Sequence, residues 1–314
     1  MRVSFVKCHG SGNDFPLLDA RELKLSDDEW GALARALADR AGPVGGDGLL
    51  ALTVGDDRAL FGMRMFNRDG SEAETCLNGL RCVARAGFAA FEVETATIRL
   101  KTSYAEAERV ADVAPGVFSV AETAGPASLD LRMWPVTGAP ARLIDAMLDS
   151  APSDRLFTAI AIPNPHLIAF VDTLDEAELV ALGGACEAAP DWLPNRANVS
   201  FVEHRDSETL FVRTFERGVG LTNSCGSAMA ASTYAACLTG RVGYDRDIRI
   251  LNRGGLVRAR ADVEGVVTVI GNATWEWEGA CVVDLDAERA GDLTVTRRFD
   301  DEISAWATVA DGVA

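Results

Sequence analysis

The sequence predicts two related halves, each combining β-strands with a helix built from small residues. Two stretches carry this prediction. Arg217-Gly-Val-Gly-Leu-Thr-Asn-Ser-Cys225-Gly-Ser-Ala-Met opens as a polar Gly-rich loop and continues rich in Ala, Met and Leu until Gly240, the pattern of a loop running into a helix. Asn67-Arg-Asp-Gly-Ser-Glu-Ala-Glu-Thr-Cys76-Leu-Asn-Gly-Leu-Arg-Cys repeats the plan, with a polar turn, a cysteine and a helix of small residues. The two cysteines lie 149 positions apart (76 to 225) in 314 residues, close to half the length, as a duplicated unit requires.

A cysteine at the mouth of a helix meets unpaired backbone N–H groups and the positive end of the macrodipole, which favour a thiolate or a bound carboxylate. Each can be an acid/base or a nucleophile, or a small buried side chain that closes a packed corner. If the two flank one anion site, they can take a proton from one face of a carbon and return one to the other.

In chain order, Arg2–Val6 alternates as a strand and runs into Lys7-Cys-His-Gly-Ser-Gly-Asn13-Asp-Phe, where two glycines allow either a tight turn that holds the Asn13 amide or a simple strand-to-helix turn. Ser26-Asp-Asp-Glu29 is a capping box ahead of a helix with Trp30, Leu33, Ala34 and Leu37 on one face. Gly45-Gly-Asp-Gly48 is a glycine-rich loop without the Lys-Ser/Thr ending of a phosphate-binding P-loop. Strands are predicted over 49–54, 60–66, 93–104 and 110–120, and a helix over 78–91. Thr123–Ser128, small and broken by Gly and Pro, marks a boundary near 125. Beyond it, 159–162 reads as a strand ending in a Pro163-Asn164-Pro165-His166 loop, 174–184 as a helix, and 199–202 and 209–215 as strands. Further strands are predicted over 247–251, 255–261, 266–270 and 274–284, and the more charged residues after Asp286 read as a peripheral tail.

The composition is that of a globular protein, with 48% apolar and 25% charged residues. A net charge of −17 speaks against nucleic acid or an anionic membrane as partner. Seven cysteines and three histidines without close CxxC pairs suggest neither a disulfide framework nor a zinc site. The first residues meet polar side chains too soon for a signal peptide, and no run has the length of a membrane span, so a reduced, cytoplasmic setting is expected.

Taken together, Lys7–Phe15, Asn67–Glu72 before Cys76, Asn78-Gly79, Arg81-Cys82, Pro163–His166, Arg196–Val199 and Glu216-Arg-Gly before Cys225-Gly226 resemble the diaminopimelate epimerase family, in the right order over about residues 1–285. The resemblance implies an α+β fold of two pseudo-symmetric domains, each a mixed β-sheet wrapped around a central helix, with the site in the interdomain cleft. The expected domains are 1–125, joined by the late strand at 274–286, then 126–273, and the tail 287–314. It implies epimerisation in lysine and peptidoglycan-precursor biosynthesis without pyridoxal phosphate, metal or other cofactor, on a small amino-acid substrate; a homodimer is compatible with it.

Carried over by position, the resemblance makes Cys76 and Cys225 the two acid/base residues. Asn13, Asn67, Leu77, Asn78, Asn164, Asn198, Glu216, Arg217, Gly226 and Ser227 would hold the substrate. His166 and Glu216 would assist thiol ionisation. Arg217 suits a distal carboxylate, because its planar fork pairs bidentately. Three positions depart from the family pattern: Leu77 stands where Gly follows the first cysteine, Leu221 replaces a Glu, and Ala228 replaces a Gly. They leave open a racemase of another amino acid, such as histidine, with the same cysteine pair. An isomerase of this fold that works without the thiols, as in phenazine biosynthesis, is disfavoured by the presence of both cysteines. A thiol-redox sensor, with Cys76 and Cys225 joining reversibly, or an amino-acid-binding module is the reading from another class.

Overall fold

Strand β1 (Arg2–Gly10) starts by burying Val3 and Phe5 while Arg2 and Ser4 face outward, the period-two pattern of a sheet covered on one face. It turns into the antiparallel β2 (Asn13–Asp19) through Ser11 and Gly12, at φ 52° and 75°, the left-handed pair that a two-residue hairpin turn requires. Of the two turns the sequence allows here, the structure therefore has a hairpin. The computed structural model describes residues 1–313, and the chain divides into two units, Met1–Glu122 with Ile270–Gly312, and Thr123–Val269.

In the first unit, β2 is followed by α1 (Asp27–Ala38), whose Ser26–Glu29 capping box forms as predicted, and by β3 (Gly48–Val54), parallel to β2. Then come β4 (Phe61–Asn67), antiparallel to β3, the short β5 (Glu72–Ala73), α2 (Leu77–Phe91), and β6 (Thr95–Arg99), parallel to β4. Strands β7 (Tyr104–Val110) and β8 (Ser119–Ala124) follow in antiparallel pairing. The sequence reads 93–104 as one strand through the turn at 100–103 and starts the next at 110, so it misses β7 and begins β8 too early. The inward positions of β7 are Ala105 and Ala107 between Glu106 and Glu108, an alternation with little apolar contrast.

The sheet of this unit is covered on both faces. Leu49 and Ala51 of β3 pack with Trp30, Leu33 and Leu37 of α1, while the intervening Leu50 meets α2 at Gly79. Helix α2 touches β1, β2, β3, β4, β6 and β7, so it is the element the strands surround.

The second unit repeats this order. After the short β9 (Ala146–Met147), β10 (Leu156–Ala161) and β11 (Pro165–Val171) form the hairpin. Helix α3 (Glu176–Glu187) crosses over to β12 (Asn198–Asp206), parallel to β11. Strand β13 (Thr209–Glu216) returns antiparallel, and the short β14 (Gly220–Thr222) folds back to pair antiparallel with its end. Helix α4 (Gly226–Leu238) crosses to β15 (Ile248–Asn252), parallel to β13, and β16 (Gly255–Ala261) pairs with it. Helix α4 touches β10, β11, β12, β13 and β16, as α2 does its own strands. The sequence reads Pro165 and His166 as loop; both begin β11, because the prolines that signal a turn stand at its first residue and just ahead of it.

Strand β17 (Val267–Asn272) carries the chain back to the first unit, where β18 (Thr274–Asp284) pairs antiparallel with β1. The charged stretch after Asp286, expected as a peripheral tail, forms β19 (Arg289–Arg298), paired with β18, and α5 (Asp300–Asp311). Trp306 of α5 is buried with Val113 and Val117.

Candidate active site

Of the five helices in the described residues, α1, α3 and α5 carry acidic residues in their first turn. Such acids answer the positive end of a helix dipole. Helices α2 and α4 carry none, and each has a cysteine at its N-cap: Cys76 and Cys225. The two helices around which the strands are arranged are thus the two whose N-termini are left without a negative charge from their own turn, the condition under which a carboxylate from outside is stabilised there.

At the first helix, Cys76 Sγ accepts from the Gly79 N–H at 3.3 Å and lies 3.8 Å from Asn13 Oδ1. Leu77 takes ordinary helical backbone as the first residue of α2, so its Cβ does not prevent its N–H from serving the helix mouth. Two glycines permit the approach of β1 and β3 to this helix. A Cβ on Gly10 would stand 2.5 Å from the Asn78 carbonyl oxygen, and one on Gly79 would stand 2.7 Å from Leu50 Cδ2.

The Asn13 turn is held from below. Asn13 Nδ2 donates to Asp47 Oδ2 at 2.6 Å, and Asp47 also accepts from Arg40. Lys7 reaches the Gly45 carbonyl and Asp14, and Arg40 bonds Asp14 as well. The glycine-rich loop thus serves as a brace for Asn13, with its carbonyl and carboxylate turned toward cations and an amide. Asn67, at the end of β4, donates from Nδ2 to Ser71 Oγ within its own turn.

A buried polar network surrounds Arg81 of the Cys76 helix. Arg81 is fully buried and donates from Nη1 to Glu122, from Nη2 to Asn78 Oδ1 and Ser11 Oγ, and from Nε to the Asn272 carbonyl. Asn272 accepts from the Ser11 N–H at 2.6 Å and donates to His9. Burial raises the Glu122 carboxyl to about 7 against the pull of Arg81, and its Oε2 has no hydrogen-bond partner among the described residues. Arg81 falls within the sequence motif. Glu122 and Asn272 carry no sequence signal, and Asp47 only that of a carboxylate in a glycine loop.

At the second helix, Cys225 is almost fully buried, with Ser227 Oγ at 3.5 Å. Burial pushes its thiol well above the ordinary range, and the Glu216 carboxylate adds to the rise; the Ser227 hydroxyl and the Ala228 N–H act in the opposite direction. Glu216 also accepts from Thr222 Oγ1 at 2.5 Å. Gly226 and Ser227 form the first turn of α4.

Asn198 joins two neighbours of this site. Its Oδ1 accepts from the Arg217 backbone N–H at 2.8 Å, and its Nδ2 lies 3.4 Å from His166 Nε2. The pairing of β11 with β12 sets His166 opposite Asn198, and Asn164 Oδ1 stands 3.3 Å from the same ring nitrogen. Burial, followed by the charge of Arg217, lowers His166 to about 3, so the imidazole is neutral and a partner for amides. The Arg217 guanidinium donates from Nη1 to the Asn195 carbonyl. A guanidinium has five N–H donors, so one carbonyl leaves donors for a carboxylate that arrives with a ligand.

Within the first unit the structure therefore joins Cys76, Leu77 and Asn78 with Asn13, while Asn67 bonds in its own turn. Within the second it joins Cys225, Gly226 and Ser227 with Glu216, and Asn164, His166 and Asn198 with Arg217.

The family model described as diaminopimelate epimerase matches residues 5–112 and 158–276. A diaminopimelate epimerase of Clostridium acetobutylicum is 36% identical over 313 residues, covering 98% of this chain and 93% of that one. Among solved structures, a phenazine biosynthesis protein of the PhzF family from Bacillus anthracis aligns with a TM-score of 0.65 at 15% identity, covering 90% of this chain and all of that one (100%). A hydroxyproline epimerase from Agrobacterium vitis, solved with trans-4-hydroxy-L-proline bound, aligns with a TM-score of 0.61 at 15% identity, covering 99% and 98%. At this identity the solved structures speak for the fold.

Proposed function

The chain belongs to the diaminopimelate epimerase family, and on that premise we propose that it interconverts LL- and meso-2,6-diaminopimelate, with Cys76 and Cys225 as the two acid/base groups. One cysteine, as thiolate, takes the α-proton; the other, as thiol, gives its proton to the opposite face of the same carbon. The thiol and thiolate have then exchanged roles, so the reverse reaction uses the same pair. The observation that carries this reading is the matched pair of helices: both have a cysteine N-cap and neither has an acid in its first turn.

An α-proton beside a carboxylate is a very weak acid, so the reaction depends on stabilising negative charge as it grows on the carboxylate. In this reading the N–H groups at Leu77 and Asn78 and at Gly226 and Ser227 supply that stabilisation, as fixed donors that need no reorganisation. Arg217 takes the distal carboxylate, and the amides of Asn13, Asn67, Asn164 and Asn198 give direction without adding charge. His166, neutral and bonded to amides, positions Asn164 and Asn198. Glu216 accepts the Cys225 proton when that cysteine must act as the base. In the resting protein burial and the Glu216 carboxylate favour the Cys225 thiol over its thiolate. Both sulfurs must stay reduced, which supports a reducing, cytoplasmic setting.

Proton exchange at Cα, followed by NMR in D2O under reducing conditions, tests the proposal. Diaminopimelate is offered beside histidine, lysine, glutamate and proline, with wild type, Cys76→Ala and Cys225→Ala. Exchange and inversion confined to diaminopimelate, with inversion lost in both variants, is the expected result. Turnover of another amino acid would keep the chemistry and move the substrate; exchange that survives both substitutions would end the two-thiol assignment.

A further inference from the structure

The family model's match ends at residue 276, and α5 lies beyond it. We propose that α5 is a positioning element for the Cys76 side of the reaction, holding the Asn13 turn through Trp306 and His9 and holding α2 through Glu302 and Arg85. The proposal rests on the reading of Cys76 and Asn13 given above.

The first contact runs through aromatic packing. Trp306 is the one buried residue of α5, and its ring centroid stands 5.7 Å from that of His9 on β1. His9 Nδ1 faces the Gly12 N–H at 3.3 Å and Asn272 Nδ2 at 3.1 Å. Gly12 belongs to the turn that presents Asn13, and Asn272, the last residue of β17, holds that turn by accepting from the Ser11 N–H. Burial lowers His9 to about 4, so the ring is neutral at pH 7 and Nδ1 keeps the lone pair these donors need. Trp306 covers the ring, and removing it would admit water to compete for that nitrogen.

The second contact is ionic. Glu302 takes Arg85 of α2 in a bidentate pair at 2.5 and 2.8 Å. The Arg85 guanidinium lies over two aromatic rings, 4.0 Å from the Trp275 centroid and 4.3 Å from that of Phe118. It also donates to the Ala273 carbonyl, and Glu302 accepts from the Trp275 N–H. A planar cation held in this way transmits the position of α5 to a helix whose own N-cap is Cys76. Cover for Val113 and Val117 alone would need Trp306 but not a bidentate pair reaching α2.

The test compares full-length wild type with Trp306→Ala, Trp306→Phe and Glu302→Gln. Two readouts are taken: steady-state epimerisation of diaminopimelate, and the rate at which iodoacetamide alkylates Cys76 and Cys225, resolved by peptide mass spectrometry. Trp306→Ala should lower kcat by about tenfold while KM moves by less than about threefold, because a displaced reacting group costs turnover more than binding. It should change the Cys76 alkylation rate by about threefold or more and leave Cys225, in the other unit, as the internal control. Trp306→Phe should recover most of both. If Trp306→Ala does not fold, Glu302→Gln decides: it keeps one acceptor oxygen and should show the same changes at smaller size. Wild-type kcat and Cys76 alkylation in both Trp306→Ala and Glu302→Gln, to within about twofold, would reduce α5 to a cover. If the wild type does not turn over diaminopimelate, the substrate reading fails, and the contrast between the two alkylation rates still decides this proposal.

Discussion

Cys225 and Cys76 have the same place on their helices and different surroundings. Cys225 is almost fully buried beside the Glu216 carboxylate, and both influences hold the proton on sulfur; Cys76 is half-buried and has a backbone N–H directed at its sulfur. Only the thiolate is alkylated, so a raised pKa lowers the reactive fraction at any pH below it. Iodoacetamide should therefore label Cys76 before Cys225 at pH 8 in the absence of substrate. Glu216→Gln removes the like charge beside Cys225, moves its ionisation to lower pH, and should speed its labelling by about threefold or more at fixed pH. The same variant should lose epimerisation, because the acceptor for the Cys225 proton is gone. An unchanged Cys225 labelling profile would show that burial alone sets this thiol and would remove Glu216 from the acid/base assignment.

Between elements, the approach of β1 to the Cys76 helix depends on Gly10. A Cβ there would stand 2.5 Å from the Asn78 carbonyl oxygen, a backbone atom that no rotamer change can move away. Gly10→Ala should cost about 2 kcal/mol, as overpacking of a fitted contact does, and should reduce epimerisation beyond what the stability loss explains. Thermal unfolding read beside kcat separates the two effects; full activity in a destabilised protein would show that the helix mouth tolerates displacement. This contact was not legible in the sequence, where Gly10 is one of two glycines in a polar turn. What was legible had local causes: the Ser26–Glu29 capping box, the helix after Cys76, and the stop at Gly240. The start of β11 was hidden, because Pro163 and Pro165 signal a turn as strongly as a strand start, and so His166 read as a loop residue while it stands in register with Asn198. Glu122, Asn272 and Trp306 were hidden for another reason. Glu122 meets Arg81 41 positions away and Asn272 meets His9 263 positions away; Trp306 also meets His9, near the other end of the sequence, and no local pattern encodes such pairings.

At the scale of the whole molecule, the spacing of two cysteine-helix stretches was enough to expect a duplicated plan, and each unit has the same succession of hairpin, crossover helix, antiparallel return and central helix. The net charge of −17 was legible as well, and its bearing on function follows from the substrate. Diaminopimelate carries two ammonium and two carboxylate groups near neutral pH, so it has no net charge for the field of the whole protein to attract or repel. The groups proposed to hold it follow the same logic, since Asn13, Asn67, Asn164 and Asn198 are neutral and the charged members, Glu216 and Arg217, are of opposite sign. Capture should then rest on short-range contacts, which salt screens weakly when they are buried. Raising added salt from about 20 to about 200 mM should change kcat/KM by less than about twofold, well short of the losses seen when a charged ligand is steered by an opposite field. Steady-state rates across that range check it. A steep fall would mean that one charged end of the substrate is recognised before the other, with Arg217 as the first contact, and Arg217→Lys should then preserve the slope while weakening the binding.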